Sequence, residues 1–444
     1  MRDIIVTLIV LGSLPYIFKR PYLGAVMWIW ISVMNPHSQG WGFARTFPFA
    51  FIIAIVTLLS VIATKEKKAL PASPITTTFI ILIIWVSITS LFAIHVELIG
   101  DSLIKVYKIM GMTLIVIMVM KTRQHIEAAI WTIVVSLGYY GVKGGIFSIR
   151  TGGSARVWGP EGTFIQGNNE IALALVMVIP LMYYLVITTN WGKWTRYAFY
   201  ATMFLCALSA LASYSRGALL AIAAMTAFLW WKSKEKIALG LVMTIAIPVL
   251  LMIMPSQWYE RMDTIQGYQE DASAMGRVNA WYMAFNLAKD RLFGGGFEIY
   301  DAGVFAMYAP VPEDIHAAHS IYFQILGEHG FIGLFIYMTL GVLTWRAGSW
   351  IVKNTAGIDD LKWAHNLATM IHVSLIGFAV GGAFLSLAYF DVPYYLMAAI
   401  VAMRVIVEQD LKARKLASKA GVAVEALARS SVAPVRKSRS ADEV

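Results

Sequence analysis

Runs of apolar residues occupy most of this chain, and short polar or charged connections separate them. A helix needs roughly 20 apolar residues to cross a hydrocarbon core that is ~30 Å thick. The first two apolar segments, 4–18 and 21–34, are shorter than that and form either a short hairpin or one broken element. The pattern predicts an all-α, polytopic integral membrane protein with about 12 transmembrane helices.

The longest interruption of the apolar pattern begins at Pro255 and ends at His319. Polar, charged and aromatic residues replace the apolar runs there, so we predict one large excursion out of the membrane. After Asp410 the chain is basic and lacks periodicity, which predicts a disordered cytoplasmic tail. The predicted divisions are an N-terminal helical bundle (1–254), the excursion with an amphipathic helix (255–320), C-terminal transmembrane helices (321–410) and the tail (411–444).

Composition agrees with a membrane protein, since 59% of the residues are hydrophobic and only 14% are charged. Cys206, the sole cysteine, lies inside an apolar run, which excludes an intramolecular disulfide and a cysteine-based metal site. Lys19-Arg20-Pro21 follows the first apolar segment in place of a signal-peptidase site, so we predict a retained anchor. Nucleotide-binding and zinc-protease motifs are missing from the sequence, and we expect no cofactor and no nucleic-acid partner.

The distribution of lysine indicates which connections face the cytoplasm. Cytoplasmic loops carry an excess of Lys and Arg, and here the lysine-rich connections alternate with others along the chain. This alternation predicts that the 255–320 excursion is extracytoplasmic. The connections that we assign to the cytoplasm are 65–68, 121–123, 193–196, 232–236 and 346–362.

The connections on the opposite side carry arginine in place of lysine. The planar guanidinium group matches phosphate oxygens through two parallel hydrogen bonds, so arginines retained there favour an anionic, phosphate-bearing substrate. The alternative is that they pair with neighbouring acids such as Glu161 and Glu260. The arginines are Arg45, Arg150, Arg156, Arg216, Arg261, Arg277 and Arg291.

Two of these arginines stand at predicted helix entrances. Arg216 belongs to a short turn, 213–217, between apolar segments, where free backbone N–H groups also favour an anion. Arg277 begins a predicted amphipathic helix that lies on or near the bilayer. The glycine run 294–296 then forces a turn or a close backbone approach.

His316 and His319 are separated by one helical turn just before a new apolar segment. Asp314 is the sole nearby carboxylate, so a metal site is weakly supported. An imidazole is the usual general base near neutral pH. We favour His319 as a base and a structural role for His316.

Polar and small residues inside the predicted spans add two expectations. Lys143 lies late in a span and faces either the protein interior or the membrane interface. The pairs Gly141–Gly145 and Gly377–Gly381 predict close helix packing.

His319-Ser320, followed by the 327–333 stretch Gly-Glu-His-Gly-x-x-Gly, resembles the C-terminal signature of the O-antigen ligase and O-antigen polymerase superfamily. One departure is Arg291, where many members have proline. The first 50 residues, with Trp28-x-Trp30 and Asn35-Pro36, are similar to the exosortase-associated O-glycosylation ligase subgroup. Further matching elements are Ser215–Gly217, Gly276-Arg277 with Trp281, the glycine run before Phe297, and Gly162–Phe164 followed by Asn168-Asn169.

The resemblance implies a glycosyltransferase of GT-C-like architecture in the bacterial inner membrane, with its active site on the periplasmic side. It implies a metal-independent, inverting transfer from an undecaprenyl pyrophosphate-linked glycan to a sugar hydroxyl of lipid A-core, in lipopolysaccharide biosynthesis. His319 would accept the proton of the acceptor hydroxyl. Arg216 and Arg277 would bind the pyrophosphate with support from Arg156. Further candidates for substrate binding are His316, Arg291 and Asn169.

Two other functions fit the same sequence. An O-linked protein glycosylation ligase or an O-antigen polymerase would use the same donor with a different acceptor. A transporter or flippase for a polyprenyl-linked glycan belongs to another class, and such proteins tend to have internal repeats. We detect no repeat in this chain.

Overall fold

The computed structural model describes residues 1–65, 69–232, 236–252, 254–263 and 272–431. Within these ranges the chain folds into sixteen α-helices, with short 3-10 helices and loops but no β-strand. The α-helices are α1 (Arg2–Lys19), α2 (Pro21–Val33), α3 (Phe49–Ala63), α4 (Pro74–Leu91), α5 (Gly100–Val119), α6 (Arg123–Arg150), α7 (Asn168–Thr188), α8 (Lys193–Leu211), α9 (Arg216–Lys232), α10 (Lys236–Met252), α11 (Ser256–Asp263), α12 (Ala272–Asp290), α13 (Ala302–Tyr308), α14 (Ile321–Thr355), α15 (Lys362–Gly381) and α16 (Asp391–Ser431).

Six of the described helices are long and apolar enough to cross a membrane. The helices α2 and α3 are apolar but shorter, and Arg20 separates α1 from α2. The chain is therefore a multi-pass, all-helical membrane protein, whereas the total of twelve spans stays a prediction. The six segments are Pro74–Leu91, Gly100–Val119, Arg123–Arg150, Asn168–Thr188, Ile321–Thr355 and Asp359–Phe384.

Helix α7 lies at the centre of the bundle and packs against α6, α8, α9 and α15. Glycines allow the close approaches around it. A Cβ atom at Gly141 would lie 2.1 Å from Cys206 Sγ, and one at Gly145 would lie 2.6 Å from the Leu205 carbonyl oxygen. The Gly377–Gly381 pair contacts α9 and α7 in the same way. The close packing predicted from both glycine pairs is confirmed.

The two ends of the bundle differ in chemistry. At one end, Tyr184 near the end of α7 donates to Glu127 at the start of α6 (3.1 Å). At the other end, Asn168 at the start of α7 donates to the Ser213 carbonyl oxygen (2.7 Å). A helix of the length of α7 is about 31 Å long. Lys193 begins α8 shortly after α7 ends. It therefore lies at the same end of the bundle as Glu127, opposite the turn before α9.

The described part of the predicted excursion contains α11, α12 and α13, while residues 264–271 lie outside the described residues. The prediction that α12 is an amphipathic helix on or near the bilayer stays a prediction, and the structure shows which of its side chains pack against protein. Met283 and Leu287 on α12 are fully buried, and they pack with Val304 and Phe305 of α13. The other side of α12 contacts α14. Protein side chains therefore cover Met283 and Leu287, whereas Phe285 on the same helix is 41% exposed.

Helix α14 is broken at Gly330, where φ is 69°. The carbonyl groups of Gly327 and Glu328 accept hydrogen bonds from the backbone N–H groups of Gly295 (2.8 Å) and Gly296 (2.9 Å). The glycine run therefore makes the close backbone approach that the sequence predicted. It satisfies carbonyl groups at the break, where the regular helical ladder is interrupted.

The last helix continues beyond Asp410, where the predicted tail begins, as far as Ser431. Arg414 pairs with Asp410 one turn earlier and with Asp360 at the start of α15 (2.8 Å). Because alanine, lysine and glutamate favour helix formation, residues 411–431 are helical, contrary to the prediction of disorder. Residues 432–444 lie outside the described residues.

Candidate active site

A polar cavity of about 120 Å³ lies where α7, α9 and α12 begin. Among the described residues, three arginines and no carboxylate line it. The N-terminal end of a helix carries a partial positive charge, and three helices begin beside this cavity, which favours an anion there. The lining residues are Arg156, Asn168, Asn169, Tyr214, Ser215, Arg216, Gly217, Ser273, Arg277, Phe384 and Leu385.

The turn before α9 places Arg216 at this cavity. Ser213 Oγ accepts a hydrogen bond from the Ser215 N–H (3.2 Å), and Ser215 Oγ accepts one from the Ala218 N–H (3.1 Å), which caps the helix. Tyr214 between them has φ of 61°, a left-handed conformation that is costly for a bulky residue. The tight turn thus aims the first residue of α9 inwards.

Two contacts connect this turn to the start of α7 and to the loop before it. Asn168 holds the Ser213 carbonyl group, and the Tyr214 hydroxyl donates to the Gly153 carbonyl oxygen (2.8 Å). The Arg156 guanidinium lies over the Tyr214 ring, 5.6 Å from its centroid. These contacts bring Arg156 and Arg216, which are 60 positions apart in the sequence, to one cavity.

The Gly-Arg-x-Asn-x-Trp stretch on α12 contacts both the cavity and the loop before α14 that carries His316 and His319. Arg277 lines the cavity, while the backbone of Gly276 lies against the His316 ring, so that a Cβ atom there would be 2.6 Å from Nδ1. Asn279 donates to the carbonyl oxygen of Asp314 (2.9 Å). Trp281 donates to the Ala318 carbonyl oxygen (2.6 Å). Each residue of the motif therefore either lines the cavity or holds the loop beside it.

His319 lies next to the cavity in a strained conformation. Its φ is 42°, and its backbone N–H donates to Ser386 Oγ (3.0 Å), next to the lining residue Leu385. The Nδ1 atom is buried, with no hydrogen-bond partner among the described residues. Non-glycine residues in the left-handed region cluster at functional sites. This conformation marks His319 as a candidate for a role beyond structure.

The electrostatic environment keeps His319 uncharged. Burial, the positive charge of Arg277 and the nearby His316 together lower the pKa of His319 to about 4. At neutral pH the imidazole is therefore deprotonated and able to accept a proton. A bound anion would offset the charge of Arg277 and raise this pKa.

Two of the predicted substrate-binding residues do not line the cavity. The Arg291 guanidinium donates to the carbonyl oxygens of Gly294 (3.1 Å) and Phe92 (2.6 Å), so it fixes the turn after α12. His316 Nδ1 lies 2.9 Å from Asp314 Oδ1 and packs over Gly276. The structural role that we favoured for His316 fits this position.

The acid-pairing alternative for the arginines holds at some positions. Arg45 forms an ion pair with Glu161 (2.9 Å). Glu170 lies within electrostatic range of Arg277, although it does not line the cavity. Arg277 therefore lines the cavity and also interacts electrostatically with an acidic residue outside the cavity.

Sequence reasoning missed several lining residues. Ser273 is four positions before Arg277 on α12, so helical spacing places both on one face and could have revealed it. Phe384 and Leu385 come from the connection between α15 and α16, and no local signal in the sequence predicts their contribution.

The second half of the C-terminal signature lies in a buried polar cluster. The Tyr389 hydroxyl donates to Glu328 Oε2 (2.5 Å) and lies 2.6 Å from His329 Nε2. His329 Nδ1 is 2.7 Å from Thr89 Oγ1 on α4. Buried polar groups need such partners, so this part of the signature holds α14 against α4 and the loop before α16.

Metal ligands do not cluster in the part of the chain that the structure describes. No group of three or more His, Cys, Asp and Glu side chains is placed there to hold a metal ion. The donors around the cavity are guanidinium, amide and hydroxyl groups, which suit an anion.

Residues 201–338 match the family model described as O-antigen ligase. The region 201–338 is therefore similar to the O-antigen ligase superfamily. The match includes Arg216, Arg277 and His319, and it confirms the resemblance recognised in the sequence. The match supports a glycosyltransferase-like membrane enzyme that acts on lipid-linked glycans.

The N-terminal part of the chain matches a different model. Residues 1–190 match a family of unknown function (DUF5935). They supply Arg156, Asn168 and Asn169 to the cavity, so both matched regions contribute to it. The similarity of the first 50 residues to the exosortase-associated subgroup stays a prediction. No curated protein matches the chain.

Proposed function

We propose that this protein is an O-antigen ligase that transfers a glycan from undecaprenyl pyrophosphate to a sugar hydroxyl of lipid A-core. The reaction takes place at the periplasmic face of the inner membrane and is inverting and metal-independent. The observation that carries the proposal is the convergence of Arg156, Arg216 and Arg277 on one cavity beside an uncharged His319.

The chemistry requires one proton acceptor and one stabilised leaving group. The acceptor hydroxyl oxygen forms a bond to the anomeric carbon while the bond from that carbon to the pyrophosphate oxygen breaks. His319 takes the hydroxyl proton, and the electron pair leaves with the pyrophosphate. Attack opposite the leaving group inverts the anomeric centre.

The arginines supply the electrostatic part of this reaction. Negative charge develops on the departing pyrophosphate, and preorganised cations stabilise it without the help of a nucleotide. Three guanidinium groups and the backbone N–H groups at the start of α7 and α9 face the cavity in which we place the pyrophosphate. Asn169 adds an amide donor.

An apolar groove of about 300 Å³ lies between α14, α15 and α16 and suits the polyprenyl chain of the donor. One end of the groove is formed by Ile321 and Tyr322, which follow His319 closely in the chain. The groove is lined almost entirely by apolar and aromatic side chains, as far as Trp345 and Met397. A polyprenyl pyrophosphate held there would have its charged group near the polar cavity that the three arginines line, which we call the arginine cavity.

The deciding experiment is reconstitution in vesicles with an undecaprenyl pyrophosphate-linked glycan. Lipid A-core, pilin and free glycan are offered as acceptors in separate reactions, with and without excess EDTA. We expect transfer to lipid A-core in both conditions. Transfer to pilin alone would identify a protein glycosylation ligase, extension of free glycan a polymerase, and movement of the donor across the bilayer without transfer a flippase. Loss of transfer in EDTA would contradict the metal-independent mechanism.

A further inference from the structure

A second cavity, of about 540 Å³, adjoins the arginine cavity. Among the described residues that line it, the lowest-numbered is Arg2 and the highest is Ile171, so all belong to the 1–190 region. Arg156 lines both cavities. The mechanism proposed above uses the first cavity and leaves the second without a role.

Two exposed indole rings border this second cavity. Trp41 is 91% exposed and Trp158 is 62% exposed, and both line it. Tyr140 and Phe147 add two further aromatic rings. Flat aromatic side chains with a few polar groups around them are typical of small-molecule sites. Such rings can cover the apolar faces of sugar rings while the polar groups bond to hydroxyls.

The charge of the second cavity is positive. Arg2, Arg45, Lys143 and Arg156 line it, and Glu161 is the one carboxylate among the described lining residues. Because Arg45 pairs with Glu161 (2.9 Å), the other three cations set the net charge. A neutral ligand would gain little from this arrangement, whereas a carboxylate or phosphate group would.

The loop that carries Trp41 is held in place before any ligand binds. Asp3 Oδ1 accepts hydrogen bonds from the backbone N–H groups of Gly42 and Ala44, both at 3.2 Å. Gln39 on the same wall donates to the Tyr140 hydroxyl (2.8 Å). Preorganised groups lose less conformational entropy on binding, so this cavity has the construction of a binding site.

We propose that the second cavity is a binding site for an anionic saccharide and that it sets the substrate specificity of the enzyme. The inference rests on the proposed function, because the shared Arg156 joins the saccharide site to the cavity proposed for pyrophosphate. The saccharide is either the acidic part of the acceptor or that of the donor glycan. The 1–190 region then supplies substrate recognition, while the O-antigen ligase region supplies the chemistry.

The test compares Trp41→Ala and Lys143→Ala with the matched controls Trp194→Ala and Lys193→Ala. Trp194 is 86% exposed, and neither control residue lines a described cavity. The KM values for lipid A-core and for the donor are measured separately, with the other substrate saturating. We expect Trp41→Ala and Lys143→Ala to raise one of the two KM values roughly tenfold while kcat stays unchanged. The substrate whose KM rises is the one that occupies the cavity.

A binding measurement keeps this inference distinguishable from the proposed function. Deacylated, phosphorylated core oligosaccharide and its dephosphorylated form are titrated separately into the purified wild-type protein, into Lys143→Ala and Trp41→Ala with their controls, and into Arg216→Ala. If transfer is absent in the wild-type protein but phosphate-dependent binding is weakened by Lys143→Ala, the saccharide site stands and the proposed function fails. If Trp41→Ala and Lys143→Ala behave as their controls in both the kinetic and the binding measurements, the saccharide site is overturned. Equal losses in Trp41→Ala and Trp194→Ala would also overturn it and indicate membrane anchoring by exposed tryptophans.

Discussion

The indole N–H of Trp281 donates to the carbonyl oxygen of Ala318 at 2.6 Å, one residue before His319. The Trp281 ring also stacks on Phe323, with ring centroids 5.0 Å apart. On the other side, Ser386 holds the His319 backbone N–H. The left-handed conformation of His319 is thus held by α12 on one side and by the connection before α16 on the other, and the hydrogen bond from Trp281 can be removed on its own.

Trp281→Phe retains the aromatic stack and removes this hydrogen bond. We expect kcat to fall roughly tenfold, because the base is less well oriented, while the KM for the donor changes little. Steady-state kinetics with Trp194→Phe as the control checks this. A positioning role also predicts a shifted pH profile, since His319 would become less buried. An unchanged kcat and pH profile would exclude the role.

His319→Ala removes the proposed base. Removal of a general base typically costs about 10²–10⁴-fold in rate, so transfer should become undetectable in a standard assay. Because His319 is half-buried and ends a loop, thermal unfolding in detergent should remain close to wild type. The control His316→Ala should retain most of the activity. Wild-type rates in His319→Ala would eliminate His319 as the base.

Arg216→Lys keeps a positive charge at the first residue of α9 but removes the planar guanidinium group, which can donate two parallel hydrogen bonds to a phosphate. If the pyrophosphate is bound bidentately, Arg216→Lys should lose nearly as much activity as Arg216→Ala, on the order of 10²-fold. Arg196→Lys, at the opposite end of the bundle, is the matched control. Initial rates at saturating acceptor give the comparison. Full activity in Arg216→Lys would reduce the role of Arg216 to bulk charge.

The pH dependence follows from the lowered pKa of His319, about 4. His319 must be uncharged to accept a proton, so kcat/KM, which reports the free enzyme, should decline as the pH falls through about 4 and not near the usual value of about 6.5. In the complex the pyrophosphate offsets Arg277, so the acid limb of kcat should lie at higher pH. A limb of kcat/KM near 6.5 would contradict the environment described for His319.

The same shift has a consequence for stability. The folded state disfavours protonation of His319, so its contribution to stability is present above the unfolded pKa of about 6.5 and is lost as the pH falls towards 4. His319→Ala should lessen this loss between pH 6.5 and 4, which thermal unfolding at each pH would measure.

Gly330→Ala tests the break in α14. At φ of 69° and ψ of −175° the backbone adopts a conformation essentially restricted to glycine, and a Cβ atom would lie 2.4 Å from the Leu292 carbonyl oxygen. We expect a destabilisation of roughly 1–3 kcal/mol from backbone strain, with more from the overlap. Gly111→Ala, where a Cβ atom would meet nothing within 4 Å, is the control. Equal unfolding temperatures in the two variants would contradict this account.

Much of the candidate site could be predicted from local sequence. Arg216 begins α9, as the serine-rich turn before it predicted, and it lines the cavity. The prediction that Arg277 begins its helix was wrong, because α12 begins five residues earlier at Ala272, yet Arg277 also lines the cavity. Arg291 is also an arginine of the predicted extracytoplasmic excursion, yet its guanidinium group donates to backbone carbonyl oxygens. Residue type alone could not separate these cases, because the partner of a guanidinium group depends on which distant segment packs beside it.

The sequence by itself determined that this is a helical membrane protein with an arginine-bearing site, since hydrophobic length and backbone hydrogen bonding inside a bilayer allow few alternatives. Tertiary structure decided what each motif does. It showed that the glycine run supports a break in α14, that Met283 and Leu287 of α12 pack against α13, and that Glu328 and His329 are buried in a polar cluster. It also brought residues from the N-terminal region to the cavities. Helix formation depends on neighbours along the chain, whereas these contacts join separate helices and loops, in one case across the 240 positions between Thr89 and His329. Only packing brings such positions together.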